Sequence, residues 1–287
     1  MTVDNHNILL TGASRGIGRA LALTLARPGS RLALMARTEE ALVQVSQEIK
    51  EMGSWAVPIT VDITQPKILD LAIDQALSAL DHVDVLINNA GIQAPIGPFL
   101  DNDPLEWEHI FRVHLFGPAR LIRAVLPGMR ARGHGKIINF SGGGAAGPRP
   151  NFSAYATSKA ALVRLTETLA QEFAPYNIQI NAVAPGAVNT RMLDEVLAAG
   201  EKAGEEYHQA LKRARNGGTP VQLICDLVKF LASPASGSLT GKLIAAPHDP
   251  WRQWADKGEE LNATPFYTVR RLDPFTINPL IQKLKDL

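Results

Sequence analysis

A doubly wound α/β fold, with a mainly parallel seven-stranded sheet and helices on both faces, is the architecture this chain predicts. Two observations carry that expectation. Seven short apolar runs alternate with longer amphipathic segments, and the first run passes through a glycine-rich turn into a helical pattern. Composition sets the bounds. The 287 residues allow one or two domains, and the apolar, charged and aromatic fractions are those of an ordinary globular protein. A net charge of +1 gives no reason to expect nucleic acid or an anionic membrane as partner. With Cys225 the only cysteine, neither an intrachain disulfide nor a thiolate metal cluster is expected, and no metal site is predicted. The start is short and polar rather than signal-like, and no window approaches the ~18 apolar residues of a membrane span. A cytoplasmic location is therefore expected.

Taken in order, the strand-length runs are 7–11, 31–36, 56–61, 83–88, 136–140, 179–183 and 242–245. Several are apolar throughout, as strands buried on both faces must be. Helical patterns fill the gaps at 15–26, 39–52, 68–80, 105–132, 153–174 and 221–232. This alternation predicts a single domain over 1–246, with a ligand at the carboxyl ends of the strands. Residues 191–216 break the rhythm: helical in composition and strongly charged, they are expected to form a substrate flap. Residues 247–287 carry Trp251, Trp254, Phe266, Tyr267 and Phe275 among prolines at 247, 250, 265, 274 and 279. The prolines argue against a long helix and the aromatics against disorder, so an ordered extension on the domain or on a neighbouring subunit is expected.

The chemistry concentrates at two places. In Thr11-Gly12-Ala13-Ser14-Arg15-Gly16-Ile17-Gly18, glycines allow a tight turn and close approach to a pyrophosphate, while the helix N-terminus offers amide donors. Far downstream, Tyr155 and Lys159 lie four residues apart on one helical face. An ammonium beside a phenol stabilises the phenolate, and so lowers a pKa otherwise near ~10. Such a pair can exchange a proton near neutrality, as hydride transfer to or from a carbonyl requires. At the end of the second run stands Met35-Ala36-Arg37, with no acid to accept from a ribose 2′-hydroxyl. Arg37 and Arg15 together suit a phosphate monoester, so NADP(H) is preferred over NAD(H).

With these motifs in this order, the chain resembles the short-chain dehydrogenase/reductase family, of the compact single-domain Rossmann-like type, over roughly residues 7–246. Residues 11–18 resemble its TGxxxGxG turn. Asp62, followed by Ile63, falls where the family contacts adenine. Asn88-Asn89-Ala90-Gly91 resembles its NNAG segment beside the cofactor ribose, and Tyr155 and Lys159 match YxxxK. Pro185-Gly186-Ala187-Val188-Asn189-Thr190 resembles the PGxVxT segment at the nicotinamide carboxamide. The resemblance also implies a serine thirteen residues before the tyrosine, holding the substrate carbonyl. That position is Gly142 here, and its neighbour Ser141 is taken as the substrate-polarising group. The family's asparagine, whose backbone carbonyl holds a water linked to the lysine, is replaced by His114. His114 either extends that relay or is a packed core residue.

The resulting expectation is an NAD(P)-dependent oxidoreductase that interconverts a ketone and a secondary alcohol, with Tyr155 as general acid/base. The alternative, resting on Gly142 and His114, is a dinucleotide-binding sensor or scaffold. The partner is a small carbonyl or alcohol substrate. Arg191, His208, Arg213, His248, Arg270 and Arg271 lie in the two irregular regions, where several facing the site would favour a polar or acidic substrate. Helices 105–132 and 153–174 carry apolar residues on more than one face: Ile110, Phe111, Leu115, Leu121, Ile122, Val125 and Leu126 in one, Leu162, Val163, Leu165, Leu169 and Phe173 in the other. Pairing across subunits follows, in a homodimer or homotetramer.

Overall fold

A computed structural model describes residues 5–271 together with 273, 277 and 281. The expected residues Phe275, Pro274 and Pro279 lie outside the described residues. The chain runs β1 (Asn7–Thr11), α1 (Gly16–Leu25), β2 (Arg31–Ala36), α2 (Glu39–Glu51), β3 (Trp55–Thr60), α3 (Pro66–Leu80), β4 (Val85–Asn88), α4 (Pro104–Phe111), a π-helical turn (Arg112–Phe116), α5 (Gly117–Arg132), β5 (Gly135–Phe140), α6 (Ser153–Phe173), β6 (Ile178–Ala184), α7 (Arg191–Ala199), α8 (Glu205–Asn216), α9 (Val221–Ala232), β7 (Leu243–Ala245) and α10 (Gly258–Asn262).

All seven strands are parallel, in the order β3-β2-β1-β4-β5-β6-β7. The chain reverses its winding between β1 and β4, and a crevice opens there at the carboxyl ends of the strands. Alternate residues of each strand feed opposite cores. Ile8, Leu10, Leu32, Leu34, Val85 and Ile87 meet the α1, α2 and α9 side, whereas Leu9, Ala33, Met35 and Leu86 meet α3 and α5. The central strands are therefore largely apolar because both faces are covered.

One predicted helix is three pieces. The 105–132 pattern holds α4, the π turn and α5, and the chain chemistry at Pro118 accounts for the irregularity. Proline has no N–H to donate to the carbonyl of His114, four residues back, and the Gly117 amide instead reaches Arg112 O. Much of the apolar surface expected between subunits is used within this one. Ile110, Leu121, Ile122, Val125, Leu126, Leu162 and Val163 are buried, while Leu105 and Phe116 stay exposed.

The described part of the C-terminal region packs on its own domain at the β7 edge. Trp251, Trp254 and Leu261 join the core beside α1 and α9. Lys242 Nζ donates to the carbonyls of Leu261, Thr264 and Phe266 at 2.6, 2.9 and 3.1 Å, and the Leu243 amide donates to Tyr267 O at 2.7 Å. Glu167, buried on α6, accepts from the Val269 amide and from Arg270, both at 2.7 Å. Among the described residues, no helix is long and apolar enough to cross a membrane.

Candidate active site

A cleft of about 930 Å³ runs from the β1–α1 turn, past the ends of β2 and β4, to Tyr155 and Lys159. Its first half is made of backbone. Gly12 turns with φ +68°, and a Cβ there would fall 2.8 Å from Asn89 Nδ2. Gly18 lies so close to Gly12 that a Cβ would come 1.9 Å from the Gly12 carbonyl oxygen. Asn89 stitches the two loops together: its side-chain amide donates to the carbonyls of Thr11 and Gly12 at 3.0 and 3.2 Å, and the Asn89 and Ala90 amides both donate to Thr11 Oγ1 at 3.1 Å. Helix α1 begins at Gly16 with no side-chain cap and no acid in its first turn. Its N-terminal amides and dipole are thus left for an anion, which fits a dinucleotide pyrophosphate. Asp62 closes the far wall, its carboxylate accepting from the Thr64 amide at 2.9 Å.

Three guanidiniums gather at the rim: Arg15, Arg37 and Arg191 all line the cleft. Burial, then the charges of Arg191 and Arg37, lower the Arg15 pKa, an effect that Glu195 opposes. Met35 and Ala36 supply the strand end without an acid, as the sequence indicates.

The second half is made of side chains. Tyr155 and Lys159 are both buried on α6. Lys159 Nζ donates to Phe140 O at 2.7 Å and stands 5.7 Å from the Tyr155 ring centroid. Burial lowers Lys159 from 10.5 to about 7, on the order of 5 kcal/mol against the ammonium. The expected lowering of the Tyr155 phenol by Lys159 does not appear. Burial instead raises the phenol, Arg149 opposes that rise and Glu206 adds to it. Desolvation outweighs a lysine that is itself only partly charged near neutrality.

Gly142, the residue in the resembled serine position, packs directly under the phenol. A Cβ there would fall 2.1 Å from the Tyr155 hydroxyl. Ser141 lines the cleft, 3 % exposed, and its buried Oγ has no hydrogen-bond partner among the described residues. An orphaned buried hydroxyl is costly, and a ligand oxygen would satisfy it.

His114 does not line the cleft, and its imidazole is buried and hydrogen-bonded. Its Nε2 accepts from the Ile92 amide at 3.2 Å, and its Nδ1 lies 2.8 Å from Ser158 Oγ, which donates to Tyr155 O. An amide pointed at Nε2 requires a lone pair there, so Nδ1 carries the proton and the ring is neutral. Burial and the Lys159 charge hold its pKa well below 6.5. Both nitrogens are occupied in clasping the β4 loop to α6.

Of the remaining expected residues, Ser14, Ile17, Ile63, Gly91, Pro185 and Thr190 line the cleft with those already described. Gly186 and Val188 do not. Gly186 turns at φ +78° against Thr219 and Pro247, and Val188 packs on the α1–α9 core. Among the six polar candidates of the irregular regions only Arg191 lines the cleft, whose lining also includes Ile92, Ala94, His109, Val113, Met192 and Glu195. Residues 191–216 form the α7–α8 pair, and Leu193, Val196, Ala203 and Ala210 bury themselves against Ile110, Phe152 and Tyr155. Three site neighbours escaped the sequence reading: Gln93, Arg149 and Glu206. The one local signal was an arginine between two prolines, Pro148-Arg149-Pro150, just ahead of α6.

Comparison with known proteins decides the family. Residues 6–200 match the family model for short chain dehydrogenase. This chain belongs to the short-chain dehydrogenase/reductase family. It is 36% identical over 242 residues to the short-chain reductase protein NovJ of Streptomyces niveus, covering 82% of this chain and 90% of that one. It is 31% identical over 244 residues to the 7alpha-hydroxysteroid dehydrogenase of Escherichia coli K12, covering 85% of this chain and 93% of the relative. Among solved structures, 7 alpha-hydroxysteroid dehydrogenase complexed with NADH and 7-oxo glycochenodeoxycholic acid superposes with a TM-score of 0.76, at 30% identity over 85% of this chain and 93% of that one. A gluconate 5-dehydrogenase from Burkholderia cenocepacia J2315, in complex with NADP and tartrate, gives 0.75 at 32% identity, over 85% of this chain and 94% of that one. The chain is thus an oxidoreductase-family member with a cleft suited to a nicotinamide dinucleotide.

Proposed function

We propose that this protein is an NADP(H)-preferring reductase or dehydrogenase that interconverts a ketone and a secondary alcohol, with Tyr155 as proton donor or acceptor. The observation that carries it is the Tyr155–Lys159 pair facing the same continuous cleft as the uncapped α1 N-terminus. Arg15 and Arg37 favour a 2′-phosphate, supported by the third cation, Arg191, at the same rim. The dinucleotide, when bound, supplies the hydride chemistry. Gly12, Ser14, Gly16, Ile17, Asn89 and Thr190 would hold its phosphates and ribose side, and Asp62 its base.

Ser141 Oγ orients the carbonyl oxygen beside the Tyr155 hydroxyl, which explains why a buried hydroxyl is left unpartnered. Tyr155 gives its proton to the developing alkoxide in reduction and takes it back in oxidation. Lys159, near neutrality in its pKa, can pass that proton on. The His114 carbonyl, rather than its ring, is the relay's end, since Pro118 denies it a helical donor. Apolar walls at Ile92, Val113 and Met192 favour a ketone with apolar flanks over an acidic substrate. Residues 191–216 act as the substrate lid. The exposed Leu105 and Phe116 on the α4–α5 face favour a homodimer or homotetramer.

The test is a panel of ketones and secondary alcohols with NADPH and NADP⁺. Replacing Tyr155 by Phe should reduce kcat by at least ~10²-fold with dinucleotide Kd unchanged within about twofold. Turnover retained in Tyr155→Phe, or dinucleotide binding with no turnover on any substrate, overturns the reading.

A further inference from the structure

Arg149 occupies a place in this molecule that neither the YxxxK pair nor the glycine turn accounts for. It comes from the loop between β5 and α6, yet it touches three other segments. Its Nε and Nη2 make a two-pronged ion pair with both carboxylate oxygens of Glu206 on α8. The guanidinium carbon lies 3.9 Å from the Phe152 ring centroid and 5.0 Å from that of Tyr155. With the Gln93 amide turned so that its oxygen faces the guanidinium, that oxygen accepts from Arg149 Nη2 at 2.7 Å, and the amide nitrogen donates to Met192 O at 3.0 Å. The Arg149 and Glu206 side chains are only 14% and 24% exposed, so the pair is poorly screened and its geometry matters.

Resting on the reading of Tyr155 as the acid/base, the geometry points to Arg149 as a positioning residue for Tyr155, latched by Glu206, so that the seating of lid helix α8 and the proton chemistry of Tyr155 are coupled. The two ends of the latch act on the phenol with opposite sign. Arg149 favours the phenolate and Glu206 disfavours it. The other groups facing Tyr155 do not substitute for this: Lys159 is lowered to about 7, and His114, edge-on at 5.4 Å between centroids, is held neutral. When α8 lifts, Glu206 leaves and the full cation faces the ring; when α8 seats, the cation is partly neutralised and the phenol keeps its proton. The proton donor for reduction is thereby set as the lid closes.

Opposite signs give the test. Arg149→Met should move the ionisation of Tyr155 to higher pH and Glu206→Gln to lower pH, each by at least about half a unit. Both shifts are read from the acid limb of kcat/KM for alcohol oxidation, where activity is lost as the Tyr155 phenolate is protonated. They are read again, without substrate, from the ultraviolet tyrosinate signal of each variant minus its Tyr155→Phe counterpart. Arg149→Lys keeps a charge and should restore part of the shift if Arg149→Met folds poorly. Cleavage of 191–216 by limited proteolysis should rise in both variants. Shifts of the same direction, or none in either readout, overturn the coupling. Absence of wild-type turnover overturns the proposed reaction instead, and the tyrosinate signal still decides the latch.

Discussion

At the glycine-turn end of the cleft, the surface offered to a ligand is backbone: the α1 amides, the Gly12 turn and the loop after β4, locked by Asn89. At the Tyr155 end it is side chains drawn from distant segments: Lys159 and Tyr155 from α6 and Ser141 from the end of β5, with the Arg149–Glu206 pair of the β5–α6 loop and α8 beside Tyr155. The backbone end tolerates no added atom at Gly12 or Gly18, and its chemistry follows from chain geometry. The side-chain end departs from the family pattern at Gly142 and His114, where the missing Cβ leaves room for the phenol and the imidazole is held by Ile92 and Ser158. Rigid recognition of an invariant ligand part is thus paired with a reacting centre whose details can vary.

Gly142 is where that contrast is easiest to break. Changing it to Ala, or to the serine of the family pattern, puts a Cβ 2.1 Å from the Tyr155 hydroxyl and must displace the phenol. We expect kcat to fall by ~10²-fold or more while dinucleotide Kd holds within about twofold. An active Gly142→Ser would mean that position 142, rather than Ser141, carries the polarising group. At the backbone end, the smaller lever is charge. Arg15→Gln combined with Arg37→Gln should weaken NADP⁺ binding by ~10- to 100-fold and NAD⁺ by less than about threefold, measured by titration calorimetry. Equal losses for both cofactors would assign these cations to the pyrophosphate and remove the NADP preference.

The smallest effect is expected at His114. Its folded pKa lies below the ordinary 6.5, so the fold favours the neutral ring. The associated stability is fully present above about pH 6.5 and is lost as pH falls toward the folded value. Replacing His114 by Gln should leave kcat within about threefold. Its unfolding free energy should drop less than wild type between about pH 7.5 and 5.5, by about 1 kcal/mol in urea titrations. A large fall in kcat with an unchanged stability slope would return the imidazole to the proton relay.

Much of the backbone end was legible in the residues. Strand boundaries at β1 and β2 coincide with the apolar runs, and the turn motif identifies its own ligand class, because both are contiguous and their geometry is local. The side-chain end was legible only where partners share a helix, as Tyr155 and Lys159 do. Arg149 and Glu206 are 57 positions apart, and nothing in either segment names the other. The partners of His114, Ile92 and Ser158, fold onto it from 22 and 44 residues away.

What the sequence determined by itself is therefore the doubly wound sheet, the glycine turn, the dinucleotide class and the Tyr155–Lys159 pairing, all written in local periodicity and short spacings. Tertiary structure alone decided that burial, not Lys159, dominates the phenol, that Gly142 makes room for it, and that the Glu206 carboxylate of α8 faces Arg149 beside it. Desolvation and long-range ion pairing depend on which surfaces are brought together, and that is fixed only once α7 and α8 have packed over α6.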